Sequence, residues 1–318
     1  MDRKEIASLA QRVRDNIARV IVGKNDTVEL LLTCLIARGH VLMEDVPGTG
    51  KTMLAKSLAR SLDCGFARIQ FTPDLLPGDV TGISVFNAQK AAFEFKPGPV
   101  FTHILLADEI NRATPRTQSS LLECMEERQV TQDGVTRPLE EPFMVVATQN
   151  PIETQGTFPL PEAQLDRFLM RLRLGYPTSQ ESMDIMRRFI RNDPLSEISP
   201  VATREDIRAA QKAFVECHVS EPVLKYISDI CERTRAMPQV NMGASPRGML
   251  ALLRASQAYA LIKGRDFVTP DDVKTLARPV LAHRIIMSGL YGHASQAEDM
   301  VWEAVSGVTV PTENPERT

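Results

Sequence analysis

The chain has 318 residues, enough for one large or two modest domains, and its 43% hydrophobic and 24% charged residues exclude a disordered tail. With 37 Lys and Arg against 40 Asp and Glu, the formal net charge of -3 lacks the basic excess of a non-specific nucleic-acid binder. Five scattered cysteines without a CxxC pair argue against a disulfide framework or zinc site and for a reducing cytosol; the N-terminus, mixing acids and bases, is no signal peptide, and no apolar run approaches the ~20 residues of a spanning helix.

In chain order, Ile6, Leu9, Val13, Ile17 and Val20 recur at helical spacing. A second helix is expected after Gly23, closed by Gly39 as its C-cap. Short apolar runs at 41–43, 67–71, 104–107, 144–147 and 168–174 are the predicted strands. Helices are predicted at 52–62, 114–127 and 161–166, and this alternation argues for a parallel sheet with helices on both faces. Beyond Tyr176-Pro177 the pattern turns helical, over about 179–191, 204–216, 222–236, 246–263 and 270–283, with no strand-like run until the very end. Thr203, Ser220, Ser245 and Thr269 are the expected N-caps. The divisions are therefore an α/β domain with N-terminal helices over 1–175, a connecting helix and linker over 176–200, a helical domain over 201–295, and a helix end and tail over 296–318.

Gly48-Thr49-Gly50-Lys51-Thr52 is the sharpest motif. It follows an expected strand and precedes an expected helix, the context that a phosphate-binding loop requires. Glycines let backbone N–H groups turn inward around phosphate oxygens, and the helix N-terminus adds a favourable dipole at the same spot. Lys51 is placed to reach the β- and γ-phosphates, and the Thr52 hydroxyl to ligate Mg²⁺. The usual GxxxxGK(S/T) spacing puts a glycine where this chain has Asp45.

Residues 103–109 form an apolar strand ending in two acids, and ligands of a parallel sheet gather at the carboxyl ends of its strands. Asp108 is the expected Mg²⁺-shell ligand. Glu109 is expected to orient and polarise the attacking water, a separate job that needs its own carboxylate. Residues 145–150 form another apolar strand with a polar end, where Asn150 either bonds the γ-phosphate or the water, or starts an Asn-Pro turn.

On these residues the chain resembles the MoxR family of AAA+ ATPases. The phrase Asp45-Val-Pro-Gly-Thr-Gly-Lys-Thr52 resembles that family's own P-loop, so Asp45 is at home there. The stretches 71–82, 107–113, 147–151 and 160–168 resemble its other signature blocks, and the likeness runs from about Ile21 to about Asp272. It implies a P-loop AAA+ core, a five-stranded parallel sheet between helices, with a C-terminal all-helical lid. It implies ATP or ADP with Mg²⁺, held by Val22 and Gly23 beside the adenine and by Pro47, Gly48, Thr49, Gly50, Lys51, Thr52 and Met53, with Thr52 and Asp108 on the metal. Glu109 and Asn150 would act on the water and γ-phosphate, Asn150 as sensor 1. Arg167 resembles the arginine finger that reaches a neighbouring subunit, and Arg247 resembles sensor 2. Ser245 as N-cap and Pro246 behind it place Arg247 in a helix's first turn, near the inter-domain cleft. Surface salt bridges are the plainer reading of both arginines, and Arg112 and Arg116 are rivals for a contact in trans.

Two hairpin-like insertions, at about 80–96 and 129–142, the second turning at Asp133-Gly134, also fit this branch. The expected whole is a Mg²⁺-dependent ATPase working as a cytoplasmic ring, a homo-hexamer, that remodels protein clients. Family likeness adds a von Willebrand factor A domain partner, while the charge balance and the lack of a long apolar run lead to the expectation of no nucleic acid and no direct membrane insertion. The alternatives are a nucleic-acid motor, the ATPase subunit of a metal-chelatase-like complex, and a nucleotide-binding scaffold without turnover. The second insertion and its flanks carry Arg128 and Arg137 against Glu126, Glu127, Asp133, Glu140 and Glu141, a poor track for phosphates.

Overall fold

A computed structural model describes residues 1–150, 156–190, 192–288 and 294–312. Pro151 of the 147–151 block, Arg191 at the end of the connecting helix and the tail from 313 lie outside the described residues. Two helices, α1 (Arg3–Ala18) and α2 (Asn25–Ile36), lead into β1 (Val41–Glu44) and α3 (Lys51–Ser61). Then come β2 (Phe66–Gln70), α4 (Pro77–Thr81), a hairpin of β3 (Gly82–Asn87) and β4 (Ala92–Pro97), β5 (Ile104–Asp108) and α5 (Pro115–Glu127). A second hairpin, β6 (Gln129–Gln132) and β7 (Val135–Pro138), precedes β8 (Met144–Gln149), α6 (Glu162–Leu165) and β9 (Met170–Leu172). The remainder is α7 (Ser179–Phe189), α8 (Arg204–Ala213), α9 (Glu221–Ala236), β10 (Val240–Met242), α10 (Pro246–Ile262), α11 (Pro270–Leu281), β11 (Ile286–Met287) and α12 (Ala294–Ser306).

The five predicted strands form one parallel sheet in the order β2-β5-β8-β1-β9. Alternation divides their side chains between two cores, because successive residues of a strand point to opposite faces. Val41, Met43, Ile104, Leu106, Met144 and Val146 face one apolar cluster; Leu42, Leu105, Ala107, Val145 and Ala147 face the other. The first cluster is continuous with α1, α2, α3 and the C-terminal helices, and α10 packs directly on both α1 and α2. Each fully buried Leu or Ile there contributes about 1.5–3 kcal/mol. His40, pushed down to about 3 by burial, stays neutral: its Nδ1 accepts from Val145 N–H at 2.9 Å and its Nε2 donates to the Met125 carbonyl at 3.0 Å, tying β1, β8 and α5 together.

Three of the four expected N-caps act as such: Thr203, Ser245 and Thr269 accept from the N–H groups of Asp206, Gly248 and Asp272. Ser220 makes no side-chain cap bond. Gly39 is not the left-handed cap of α2. That conformation falls on Arg38, at φ 59°, while the Gly39 N–H returns to the Cys34 carbonyl at 2.8 Å. Glycine is needed at 39 for space, since a Cβ would stand 2.4 Å from the Leu169 side chain.

The helical domain also holds a short antiparallel pair, β10 with β11, which three- and two-residue runs could not announce in sequence. The C-terminal segment is more helical than a helix end and tail: α12 runs to Ser306 and packs on α9 and α11, so it is part of the lid. Both hairpins form where expected. Asp133 and Gly134 take φ 54° and 74°, the paired left-handed residues of a tight hairpin turn. The hairpins also dock on one another, through a Ser84–Asp133 hydrogen bond and the Arg137 guanidinium 4.0 Å from the Phe95 ring centroid.

Candidate active site

The segment from Asp45 to Gly50 leaves the carboxyl end of β1 and turns into α3. Gly48 and Gly50 take φ 83° and 97°, and a Cβ added at either would meet nothing within 4 Å, so an open cradle is bounded by bare backbone. The first turn of α3 holds no acid, which leaves its N–H groups and dipole for an anion. Lys51 folds back, its Nζ donating to the Asp45 carbonyl at 2.7 Å; burial lowers its pKa against the opposing pull of Asp45, Asp108 and Glu109. Asp45 has a structural job. Its carboxylate accepts from the N–H groups of Leu174 at 2.5 Å and Gly175 at 3.1 Å, fastening the loop to the end of β9. Asp45→Gly, which restores the usual P-loop letter, is expected to cost about 1–3 kcal/mol by leaving those groups unpaired. A calorimetric thermal midpoint equal to wild type would show the tether to be idle.

Asp108 and Glu109 close β5. Thr148 on β8 joins them: its hydroxyl donates to Asp108 Oδ1 at 2.6 Å and accepts from Glu109 N–H at 2.8 Å. Arg68 on β2 holds Asp108 Oδ2 at 2.7 Å. Glu109 sits at φ 55°, a left-handed conformation uncommon for a non-glycine residue and typical of strained functional positions. Its Oε2 accepts from Gln70 Nε2 at 2.7 Å and lies 3.4 Å from Arg112 Nε. Asn150 is buried next to the loop, since Asp45 N–H bonds the preceding Gln149 carbonyl. Val22 and Gly23 lie in the α1–α2 turn, beside the segment that follows β9: Lys24 Nζ donates to the Tyr176 carbonyl at 3.3 Å and Thr27 Oγ1 to that of Arg173 at 3.5 Å. One carboxylate, one hydroxyl and an open phosphate cradle fit Mg²⁺–ATP, because Mg²⁺ takes few protein ligands besides phosphates and water.

Arg167 and Arg247 lie elsewhere. Both face a cleft of about 890 Å³ whose walls include Gly39, His40, Glu126 and Leu250, at the amino ends of the strands. Glu126 Oε2 stands 3.0 Å from Arg167 Nε, and its Oε1 stands 2.9 Å from Arg247 Nη2. The cleft is inter-domain, as the capped start of α10 predicts, but the length of β1, on the order of 13 Å at ~3.3 Å per residue, separates it from the phosphate loop. Of the rival arginines, Arg112 is already at Glu109 of its own chain, and Arg116 is exposed on the first turn of α5.

Sequence reasoning missed Arg68, Gln70 and Thr148. The first two lie on a strand whose neighbour could be known only from the sheet order. Thr148 lay in plain view, two residues before Asn150.

A family description, "ATPase family associated with various cellular activities (AAA)", matches residues 40–170, and an AAA lid domain matches residues 232–303. YeaC of Bacillus subtilis (strain 168) is 48% identical over 98% of both chains. Chaperone MoxR1 of Mycobacterium tuberculosis is 40% identical, over 87% of this chain and 76% of its own. Protein MoxR of Paracoccus denitrificans is 34% identical, over 86% and 87% respectively. A crystal structure of an ATPase candidate from Cytophaga hutchinsonii superposes with a TM-score of 0.88 at 36% identity, over 98% and 97% of the two chains.

Proposed function

This chain belongs to the MoxR family of AAA+ ATPases, and from that premise we propose that it hydrolyses Mg²⁺–ATP at the contacts between copies in a ring, a hexamer, and couples turnover to remodelling of protein clients. The observation that carries the ring reading is the separation of the site into two halves. The phosphate loop with Asp108 and Glu109 is at one end of the sheet; Arg167 and Arg247 are at the other. A heterologous contact that sets one end of a protomer against the opposite end of the next completes the site, and makes a ring when its rotation closes.

In such a site the N–H groups of Pro47's successors Gly48, Thr49 and Gly50 and of Thr52 and Met53 cradle the phosphates, with Lys51 on the β- and γ-phosphates. Val22 and Gly23 flank the base. Thr52 and Asp108 would hold Mg²⁺, which would supply positive charge against the phosphates. Glu109 leaves Gln70 to take the proton of the attacking water, and Asn150 orients that water against the γ-phosphate. Arg167 and Arg247 of the neighbour stabilise charge on the transferring group.

Client remodelling draws support from the chaperone name of the mycobacterial relative and from two hairpins that stand apart from the five-stranded sheet as separate two-stranded ribbons. A von Willebrand factor A domain partner and a cytoplasmic location belong to the same proposal and rest on the family resemblance. Among the described residues no helix is long and apolar enough to cross a membrane. The test is nucleotide-gated capture: Glu109→Gln with ATP should retain protein partners that ADP releases, and capture indifferent to nucleotide would defeat the coupling.

The nucleic-acid motor finds little support. Arg137 is stacked on Phe95, and Arg128 donates to the carbonyls of Phe143 and Arg38, so the basic residues at the second hairpin are engaged internally. DNA or RNA at near-physiological salt should change the ATPase rate by less than about twofold; a larger, salt-sensitive stimulation would restore the motor reading.

A further inference from the structure

The last turn of α5 carries a carboxylate placed between the two arginines of the far cleft. Glu126 gives one oxygen to each: Oε2 to Arg167 at 3.0 Å and Oε1 to Arg247 at 2.9 Å. Arg167 belongs to the α/β domain and Arg247 to the lid, so one partly exposed acid joins side chains from both. Two guanidiniums side by side repel, and a carboxylate between them offsets that repulsion. Each guanidinium has five N–H donors, so donors remain for phosphate oxygens.

A second arginine of the lid braces the same segment from behind. Arg284, 9% exposed, donates through Nε to Asp166 Oδ1 at 2.6 Å. Its Nη2 reaches the carbonyls of Asp166 at 3.1 Å and Phe168 at 2.8 Å, and its Nη1 that of Leu169 at 3.2 Å. The backbone on both sides of Arg167 is therefore held by one buried guanidinium of the lid.

We propose that Glu126 is a positioning residue for hydrolysis in trans: it sets the spacing of Arg167 and Arg247, and with Arg284 bracing the Arg167 segment, it makes the pair move with the lid as one unit. This rests on the assignment of Arg167 to the neighbour's γ-phosphate. Glu126 itself does not touch nucleotide.

Glu126→Gln preserves shape and removes charge. It should lower kcat roughly tenfold, less than loss of the finger itself, and leave KM for ATP and nucleotide affinity unchanged. Glu126→Asp should recover part of the rate. Mixing separates positioning from general weakening of the fold. Rings of Glu126→Gln with Lys51→Ala should exceed the average of the two preparations, because Lys51→Ala supplies an intact arginine face. Rings of Glu126→Gln with Arg167→Ala should not, because both defects lie on that face. Wild-type turnover in Glu126→Gln beside a dead Arg167→Ala would overturn the positioning role. So would gain in the second mixture, or equal losses in kcat and affinity. Wild-type turnover in Arg167→Ala would instead overturn the assignment beneath it.

Discussion

Arg167→Ala should bind ATP nearly as tightly as wild type yet lose about 10³–10⁵ in turnover, the effect of removing a guanidinium from a transferring phosphoryl group. Binding survives because Arg167 stands at the amino ends of the strands, beside Gly39 and His40, and the phosphate loop leaves their carboxyl ends. Under the proposed ring, the loss is felt by the next copy. Mixed with Lys51→Ala, which has the finger but no nucleotide, the variant should regain part of the activity that each lacks alone. Specific activity should also rise with protein concentration as copies associate, by mass action. A wild-type monomer active at all dilutions, or a mixture as dead as its parts, would move the finger to another residue, with Arg116 the next to substitute.

Lys51→Ala and Glu109→Gln should separate binding from chemistry. The Lys51 ammonium is half-buried, lies within the field of Asp45, Asp108 and Glu109, and bonds the Asp45 carbonyl in the open cradle. Its loss removes the cation that meets the β- and γ-phosphates, and nucleotide binding should fall below detection in calorimetry. Glu109→Gln keeps Asp108, Thr148 and the cradle, so it should bind ATP normally while turnover drops about 10²–10⁴-fold, the usual worth of a general base. Equal ATP affinity in Lys51→Ala and wild type would remove the loop from the site. Unimpaired turnover in Glu109→Gln would pass the base role elsewhere.

The parallel sheet was legible because each strand is a short apolar run bounded by turn residues and because Gly48 to Thr52 stands between a strand and a helix. The two hairpins were legible from alternation and from Asp133-Gly134. The order of strands was not, and with it went Gln70 and Arg68: a residue at the end of β2 becomes part of the site only when β2 lies beside β5. Asp45 shows the reverse case. As a letter it marked a departure from the common P-loop, and only its bonds to Leu174 and Gly175 explain the carboxylate. Glu126 carried no signal at all, since an acid near the end of a helix is ordinary until two arginines from distant segments close on it. The β10–β11 pair was too short to show a period, and the cap at Arg38 escaped because a left-handed conformation is uncommon for a non-glycine residue and a glycine stands next to it.

The apolar cluster shared by α1, α2 and α10 also bears on how such a chain can be taken apart or recombined. Domain boundaries drawn along the sequence put α1 and α2 with the sheet and α10 with the lid, yet in space the three form one continuous packing. A lid produced from residue 201 onward would expose the faces that Leu31, Leu35 and Ile17 now cover, and it should collect in inclusion bodies or aggregate. Exchange of lids between relatives should succeed only when the first two helices travel with them.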